Sequence, residues 1–208
     1  MEPADAYLIR DVAALDALYG QPAEVSVVKE VNYLHPHYQA FIAASPFAVL
    51  ATAGPGGLDA SPRGDPSGFV EIADDRTLLL PDRRGNNRAD SLRNIIADPR
   101  VALLFLIPGI TETLRVNGSA VISTDPALLA RYPMNGALPR SVVVVRVESV
   151  FFQCARALIR SDLWNPSHHL QRSALPSTGA ILAALSECRL GGDQYDREQP
   201  ERQRVTLY

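Results

Sequence analysis

The chain has 208 residues, of which 47% are hydrophobic and 21% are charged, and its formal net charge is −3. This composition is ordinary for a globular protein, and the length allows one domain with a buried core. The negative charge argues against a nucleic-acid-binding surface, and no run approaches the ~20 apolar residues of a membrane span. The first residues lack a basic, apolar secretion signal, so we expect a cytoplasmic protein.

Helix signals dominate the first 45 residues. Asp11 can cap a helix that ends at Gly20, and a second helix is predicted over 22–33. A third is predicted over 36–44, where the following Ser45–Pro46 pair disfavours further helix.

Apolar, β-branched runs separated by Gly and Pro turns then predict seven strands. They are interrupted by a helix over 88–97 and a short helix after Asp125. The run 141–152 is the strongest strand, and its continuous valines predict that both faces of its first half are buried. The predicted strands are 47–53, 58–63, 68–73, 76–81, 100–107, 111–123 and 141–152.

These elements predict a mainly β protein with peripheral helices, built as a closed or partly closed antiparallel barrel. We expect a single domain with N-terminal helices in 1–45, the barrel in 46–153, and C-terminal helices with a polar tail in 154–208. The polar residues after about 190 are expected to be disordered or to lie over a partner subunit.

Cysteine and histidine usage points away from metal binding. Cys154 and Cys188 lie far apart, match no metal-ligand spacing, and are expected to be free thiols in a reducing cytoplasm. The four histidines form two close pairs, and nothing near either pair stands out as a third or fourth ligand.

The segment Asp82–Arg88 is the most informative stretch of the chain. It places three arginines, a glycine and two asparagines where a buried strand is followed by a helix, with Ser91 just beyond. A helix start exposes unpaired N–H groups and the positive end of a dipole, and guanidinium groups beside it make a phosphate site. The alternative interpretation is a solvated, charged turn.

The strand predicted over 58–63 has an unusual content for a packing role. It carries Ser61, Pro62 and Arg63, followed by Gly64. Proline predicts a sheet edge or a bulge. Arg63 could then reach an anion held at the helix start near Arg88.

Seven motifs, taken together in order and spacing, resemble the pyridoxamine 5'-phosphate oxidase-like flavoprotein family over roughly residues 10–166. The resemblance implies an FMN-binding split barrel with Greek-key topology that pairs as a homodimer. The motifs are Phe41–Phe47, Asp59–Asp65, Gly68–Val70, Leu80–Arg88, Asp90–Ile95, Leu104–Gly109 and Glu112–Gly118.

The resemblance also implies which residues hold FMN, with each site shared between two subunits. The phosphate would contact Arg63, Asn87, Arg88 and Ser91. The flavin ring would lie against the backbone of 60–63, including Ser61 and Pro62, and against Pro81 and Asp82. The second subunit would contribute Glu112, Leu114, Arg115, Gln153, Cys154 and Arg156.

Four side chains have more than one possible role. Arg83 and Arg84 are further phosphate candidates, of which at least one is expected to be solvated. Arg115 lies among apolar neighbours, so it either faces outward or pairs with an anion. Trp164 either stacks near the ring or covers the barrel mouth.

The chain departs from the oxidase in one motif. The oxidase carries an arginine–X–histidine substrate motif near its C-terminus, and the comparable segment here, 155–161, contains no histidine. We therefore expect an FMN-dependent oxidoreductase with a different small organic substrate and little pyridoxamine 5'-phosphate oxidation. The alternatives are a flavin-binding storage or redox-sensing protein and a reductase that uses the deazaflavin F420.

Overall fold

The computed structural model describes residues 7–208 and contains eight helices and seven strands in that range. The helices are α1 (Val12–Tyr19), α2 (Glu24–Val27), α3 (Pro36–Ala44), α4 (Asp90–Ala97), α5 (Pro126–Leu129), α6 (Arg156–Ser161), α7 (Thr178–Leu185) and α8 (Gly192–Val205). The strands are β1 (Phe47–Gly54), β2 (Gly57–Gly64), β3 (Glu71–Asp74), β4 (Thr77–Pro81), β5 (Arg100–Leu106), β6 (Thr113–Ser123) and β7 (Val142–Gln153). None of the helices in 7–208 is long and apolar enough to cross a membrane.

All seven strands join one antiparallel sheet in the order β2-β1-β5-β6-β7-β4-β3. Three consecutive strands, β5 to β7, are neighbours, and β4 returns to pair with β7, which is a Greek-key arrangement. The prediction of a mainly β, split-barrel protein with peripheral helices is confirmed. Pro62 lies on β2, which is an edge strand, as its lack of a backbone N–H led us to expect.

The core is formed by alternate residues of the central strands together with residues from α3 and α4. On β7 the adjacent Val142 and Val143, whose side chains point to opposite faces, are both buried, as is Val145. A single chain therefore accounts for the apolar character of this strand. The largest fully buried side chains include Leu34, Ile42, Leu50, Leu78, Leu80, Leu103, Phe105 and Leu114.

The N-terminal helices differ in part from the prediction. The side chain of Asp11 caps α1 by accepting a bond from the Ala14 N–H at 2.8 Å, and Gly20 ends the helix, as predicted. The predicted helix over 22–33 is wrong, since only Glu24–Val27 is helical. Val31 instead exchanges two backbone hydrogen bonds with Val150 of β7, which holds the chain in an extended conformation there.

The residues after 190 are helical, which contradicts the expectation that they are disordered. They form α8, which packs against α7 of the same chain. The carboxylate of Asp196 accepts hydrogen bonds from the Ser177 hydroxyl at 2.5 Å and the Gly179 N–H at 2.7 Å. These bonds lower the pKa of Asp196 and fix a highly polar helix that has little apolar surface of its own.

α4 rests directly on β1 through a close backbone approach. The amide of Asn94 lies over Gly54 and donates a hydrogen bond to the Thr52 hydroxyl at 3.1 Å. Both polar side chains are buried. A residue larger than glycine at position 54 would not fit beneath the helix.

We expect Gly54→Ala to lower the free energy of unfolding by about 1–3 kcal/mol, the usual cost of overpacking. The added Cβ would overlap the side chain of Asn94 and lie 3.1 Å from its Cα. Gly56→Ala in the same turn is the matched control, because its Cβ would meet nothing within 4 Å. Urea denaturation of both variants measures the effect, and equal stabilities would contradict this account of helix placement.

Candidate functional site

A cavity of about 610 Å³ lies between β2, the end of β4, the loop 82–89 and the start of α4. It falls in the usual size range of small-molecule sites. Its lining includes five arginines and three aspartates, an excess of two positive charges in a chain whose net charge is −3. The lining contains eight predicted site residues: Ser61, Pro62, Arg63, Pro81, Asp82, Asn87, Arg88 and Ser91.

β2 presents its polar residues to this cavity by simple strand alternation. Asp59, Ser61 and Arg63 are partly buried on one face, whereas Leu58 and Pro62 on the other face are exposed. The sequence thus has its polar residues at the alternate positions that face inward.

Arg63 is the central side chain of the cavity. Its guanidinium donates to a carboxylate oxygen of Asp82 at 2.7 Å and to the hydroxyl of Ser91 at 3.3 Å. Its side chain is only 18% exposed, and its Nε is buried with no hydrogen-bond partner among residues 7–208. A buried, unpaired donor of this kind costs free energy unless something binds to it.

Ser91 joins α4 to β2. It is 3% exposed, and its hydroxyl donates to the Asp59 carboxylate at 2.5 Å while accepting from Arg63. These bonds place the first turn of α4 beside the edge strand. An anion that contacts Ser91 would compete with the carboxylate of Asp59.

No side chain of the described residues caps the start of α4. The N-cap residue is Ala89 in a left-handed conformation, with φ 56°, and Asn87 is also left-handed, with φ 61°. Such φ values are unusual for residues other than glycine and cluster at functional sites. Without a capping side chain, the first N–H groups of α4 remain available to an anion.

The two other polar residues of this corner have partners of their own. Arg88 is 77% exposed, and its guanidinium donates to Asp90 at 2.8 Å, which raises the pKa of Arg88. The side-chain oxygen of Asn87 accepts a bond from Arg140 at 3.0 Å. A phosphate at Arg88 would therefore compete with Asp90, whereas Arg63 offers a donor that has no partner.

The two undecided arginines have different environments. Arg83 is partly buried and donates to the carboxylate of Asp65 at 2.7 Å and to the carbonyl of Tyr132 at 2.7 Å. Arg84 is exposed and makes no side-chain hydrogen bond or ion pair within residues 7–208. Of these two candidate phosphate ligands, Arg84 is therefore the one exposed to solvent.

The six residues predicted to serve a second subunit lie together at the paired ends of β6 and β7. Thr113 pairs with Gln153 across these strands. Leu114 is fully buried, so that only its backbone could contact a ligand, and Arg115 is exposed with its guanidinium 5.4 Å from the centre of the Phe151 ring. The six residues are Glu112, Leu114, Arg115, Gln153, Cys154 and Arg156. Within residues 7–208, none of them lines the cavity of its own chain.

Trp164 is not among the residues that line the cavity of its own chain within residues 7–208. Its indole N–H donates to the carbonyl of Ile110 at 2.7 Å, in the turn between β5 and β6. Cys154 and Cys188 are both exposed and carry free thiols, as predicted.

Two residues near the cavity, Arg140 and Tyr208, were not predicted from the sequence. Arg140 lines it and holds Asn87, and the hydroxyl of Tyr208 donates to Asp65 at 2.7 Å beside Arg83. The Asn135–Gly136 pair is a strong signal for a tight turn and could have drawn attention to the segment that carries Arg140. No local signal connects Tyr208 to residues 65–83.

Residues 34–154 match the family described as pyridoxamine 5'-phosphate oxidase. No curated protein matches the chain by sequence.

Solved structures with a similar fold include two bacterial proteins. HupZ of Group A Streptococcus aligns with a TM-score of 0.47 and 19% identity over 57% of this chain and 92% of its own. General stress protein 26 of Bacillus anthracis aligns with a TM-score of 0.40 and 17% identity over 55% of this chain and 88% of its own. These scores are low, so the assignment rests on the sequence match. Because that match spans more than half of the chain, the protein belongs to the pyridoxamine 5'-phosphate oxidase family.

Proposed function

We propose that the protein is an FMN-dependent oxidoreductase that acts on a small organic substrate. The observation that carries the proposal is the buried guanidinium of Arg63, which faces a cavity of suitable size with its Nε unpaired. Family membership supports the choice of a flavin as the group that this cavity holds.

The residues present fit the phosphate end of FMN. A phosphate dianion suits a lining in which arginines outnumber aspartates. Arg63, Asn87, Arg88 and Ser91 would hold it, together with the uncapped N–H groups of α4.

The backbone of β2 and of the β4 end would hold the flavin ring. These are residues 60–63, with Ser61 and Pro62, and the adjacent Pro81 and Asp82. When bound, a flavin supplies hydride chemistry at N5. The contribution of the chain is to bind the group, orient it and supply electrostatic stabilisation. Asp82 holds Arg63 directly, and Asp59 acts on it through the Ser91 hydroxyl.

We expect the purified protein to contain FMN and no FAD. The cations of the cavity converge on one helix start, and the sequence lacks the Gly-X-Gly-X-X-Gly turn that cradles a pyrophosphate. Chromatography of the flavin released by denaturation identifies the species. Recovery of FAD as the main flavin would contradict the assignment.

We expect Arg63→Gln to weaken FMN binding roughly ten- to a hundredfold, because a charge-assisted hydrogen bond contributes about 1.5–3 kcal/mol. Arg63→Lys keeps the charge and should retain most of the affinity, since the resemblance places a phosphate-binding lysine at this position in the oxidase. Arg100→Gln, which removes a 79% exposed guanidinium outside the cavity, is the control.

Equilibrium titration with FMN measures these affinities, and thermal denaturation of each apoprotein checks that the fold persists. Equal affinity of the wild type and Arg63→Gln would place the phosphate elsewhere.

We also propose a homodimer in which each flavin is held by two subunits. The six residues at the ends of β6 and β7 lie outside their own chain's cavity, as a shared site requires. In addition, α1 and α2 bury none of their residues, and Val12, Leu18 and Val25 are 71%, 66% and 73% exposed. Exposed apolar helices of this kind are typical of a surface that another subunit covers.

Light scattering at low micromolar concentration should give twice the mass of one chain, with and without FMN, because shared-site interfaces of the obligate class bury more than roughly 2,000 Å². A monomer that binds FMN tightly would refute the shared site and leave Arg115 as an ordinary surface charge.

A further inference from the structure

A second, smaller recess adjoins the cofactor cavity and shares four lining residues with it. The recess has a volume of about 190 Å³, the space of roughly six water molecules. The shared residues are Asp82, Arg83, Arg84 and Arg140. The remaining wall is formed by Met134, Ala137, Leu138, Pro139 and Tyr208.

The apolar wall of the recess is held by its own backbone hydrogen bonds. Met134 and Ala137 exchange two backbone bonds of 2.9 Å across a two-residue turn. The central residues Asn135 and Gly136 both have positive φ, which is the Asn-Gly turn that favours this geometry. Met134, Leu138 and Pro139 are therefore presented by a pre-organised segment.

A network of hydrogen bonds closes the other side. Asp65 accepts from the Tyr208 hydroxyl with one carboxylate oxygen and from Arg83 with the other, both at 2.7 Å. Arg83 also donates to the Tyr132 carbonyl next to the turn. Asp65 thus joins the C-terminal residue Tyr208 to the loop that carries Arg83. The hydrogen bond to Asp65 raises the pKa of Tyr208.

The recess carries positive charge that the chain does not neutralise. Asp82 is paired with Arg63, and Arg83 is paired with Asp65. Within residues 7–208, the guanidinium of Arg140 donates to the neutral side chain of Asn87 and forms no ion pair, and Arg84 has no side-chain partner. Two guanidinium groups therefore face a small, partly apolar space without a carboxylate between them.

We propose that this recess is the substrate subsite and that it selects a small organic anion. Arg84 and Arg140 bind its oxyanion, a carboxylate or a phosphate, while Met134, Leu138 and Pro139 contact its apolar body. The reacting end faces Asp82, which both cavities share. This subsite rests on the proposed function, because it places the substrate beside the flavin.

The test uses the flavin-loaded protein and three probes of similar size: benzoate, phenyl phosphate and the neutral benzamide. Binding is followed by perturbation of the flavin absorbance and by calorimetry. We expect saturable binding of at least one anion and at least tenfold weaker binding of benzamide. The preferred anion distinguishes a carboxylate from a phosphate substrate.

Arg84→Gln should weaken anion binding about tenfold or more while leaving FMN affinity unchanged, since a charge-assisted bond is lost. Arg100→Gln serves as the control for the loss of an exposed guanidinium. Tyr208→Phe removes the bond to Asp65 and should weaken anion binding severalfold, again with unchanged FMN affinity.

The subsite is overturned if no anion binds or if benzamide binds as well as benzoate. It is also overturned if Arg84→Gln loses FMN affinity, because Arg84 would then belong to the cofactor site. Calorimetry separates this failure from failure of the proposed function. A protein that binds benzoate but no FMN refutes only the flavin, and one that binds FMN but no anion refutes only the subsite.

Discussion

The ion pair between Arg63 and Asp82 is the contact on which the site depends. Arg63 lies on β2, one edge of the sheet, and Asp82 follows β4, the neighbour of the opposite edge strand. Their 2.7 Å contact therefore joins the two ends of the curled sheet around the cavity. Because both side chains are less than one-fifth exposed, the pair is shielded from solvent far more than a surface pair and either partner alone would be costly.

The same guanidinium also connects the sheet to α4. Arg63 donates to Ser91 in the first turn of α4. The close contact between Asn94 and Gly54 sets how near α4 lies to β1. The helix consequently begins at the cavity, with left-handed residues before it and no capping side chain. Backbone strain and an unmade cap are both unfavourable for folding alone, so their presence at one corner is typical of a ligand-binding site.

Charge is distributed unevenly between the surface and the site. The chain is negative overall, yet arginines outnumber aspartates in the cavity lining. The carboxylates of Asp65 and Asp82 each hold one arginine in a fixed position. Arg84 and Arg140 line both cavities and have no acidic partner in the described part of the chain, residues 7–208. A positive cleft in a negative protein favours small anions over polyanions such as nucleic acids.

The sequence by itself determined the strands, helices α1, α3 and α4, the edge position of Pro62 and the strand-to-helix junction at Asp82–Arg88. Caps, turns and hydrophobic periodicity act over a few residues, so they can be read locally. Only the tertiary structure decided that Arg63 and Arg83 are partly buried while Arg84 and Arg88 are exposed. It also decided that Val31 pairs with Val150, that the polar tail forms α8, and that Tyr208 reaches Asp65. These outcomes depend on partners from 17 to 143 residues away in the chain, and no local propensity specifies such partners.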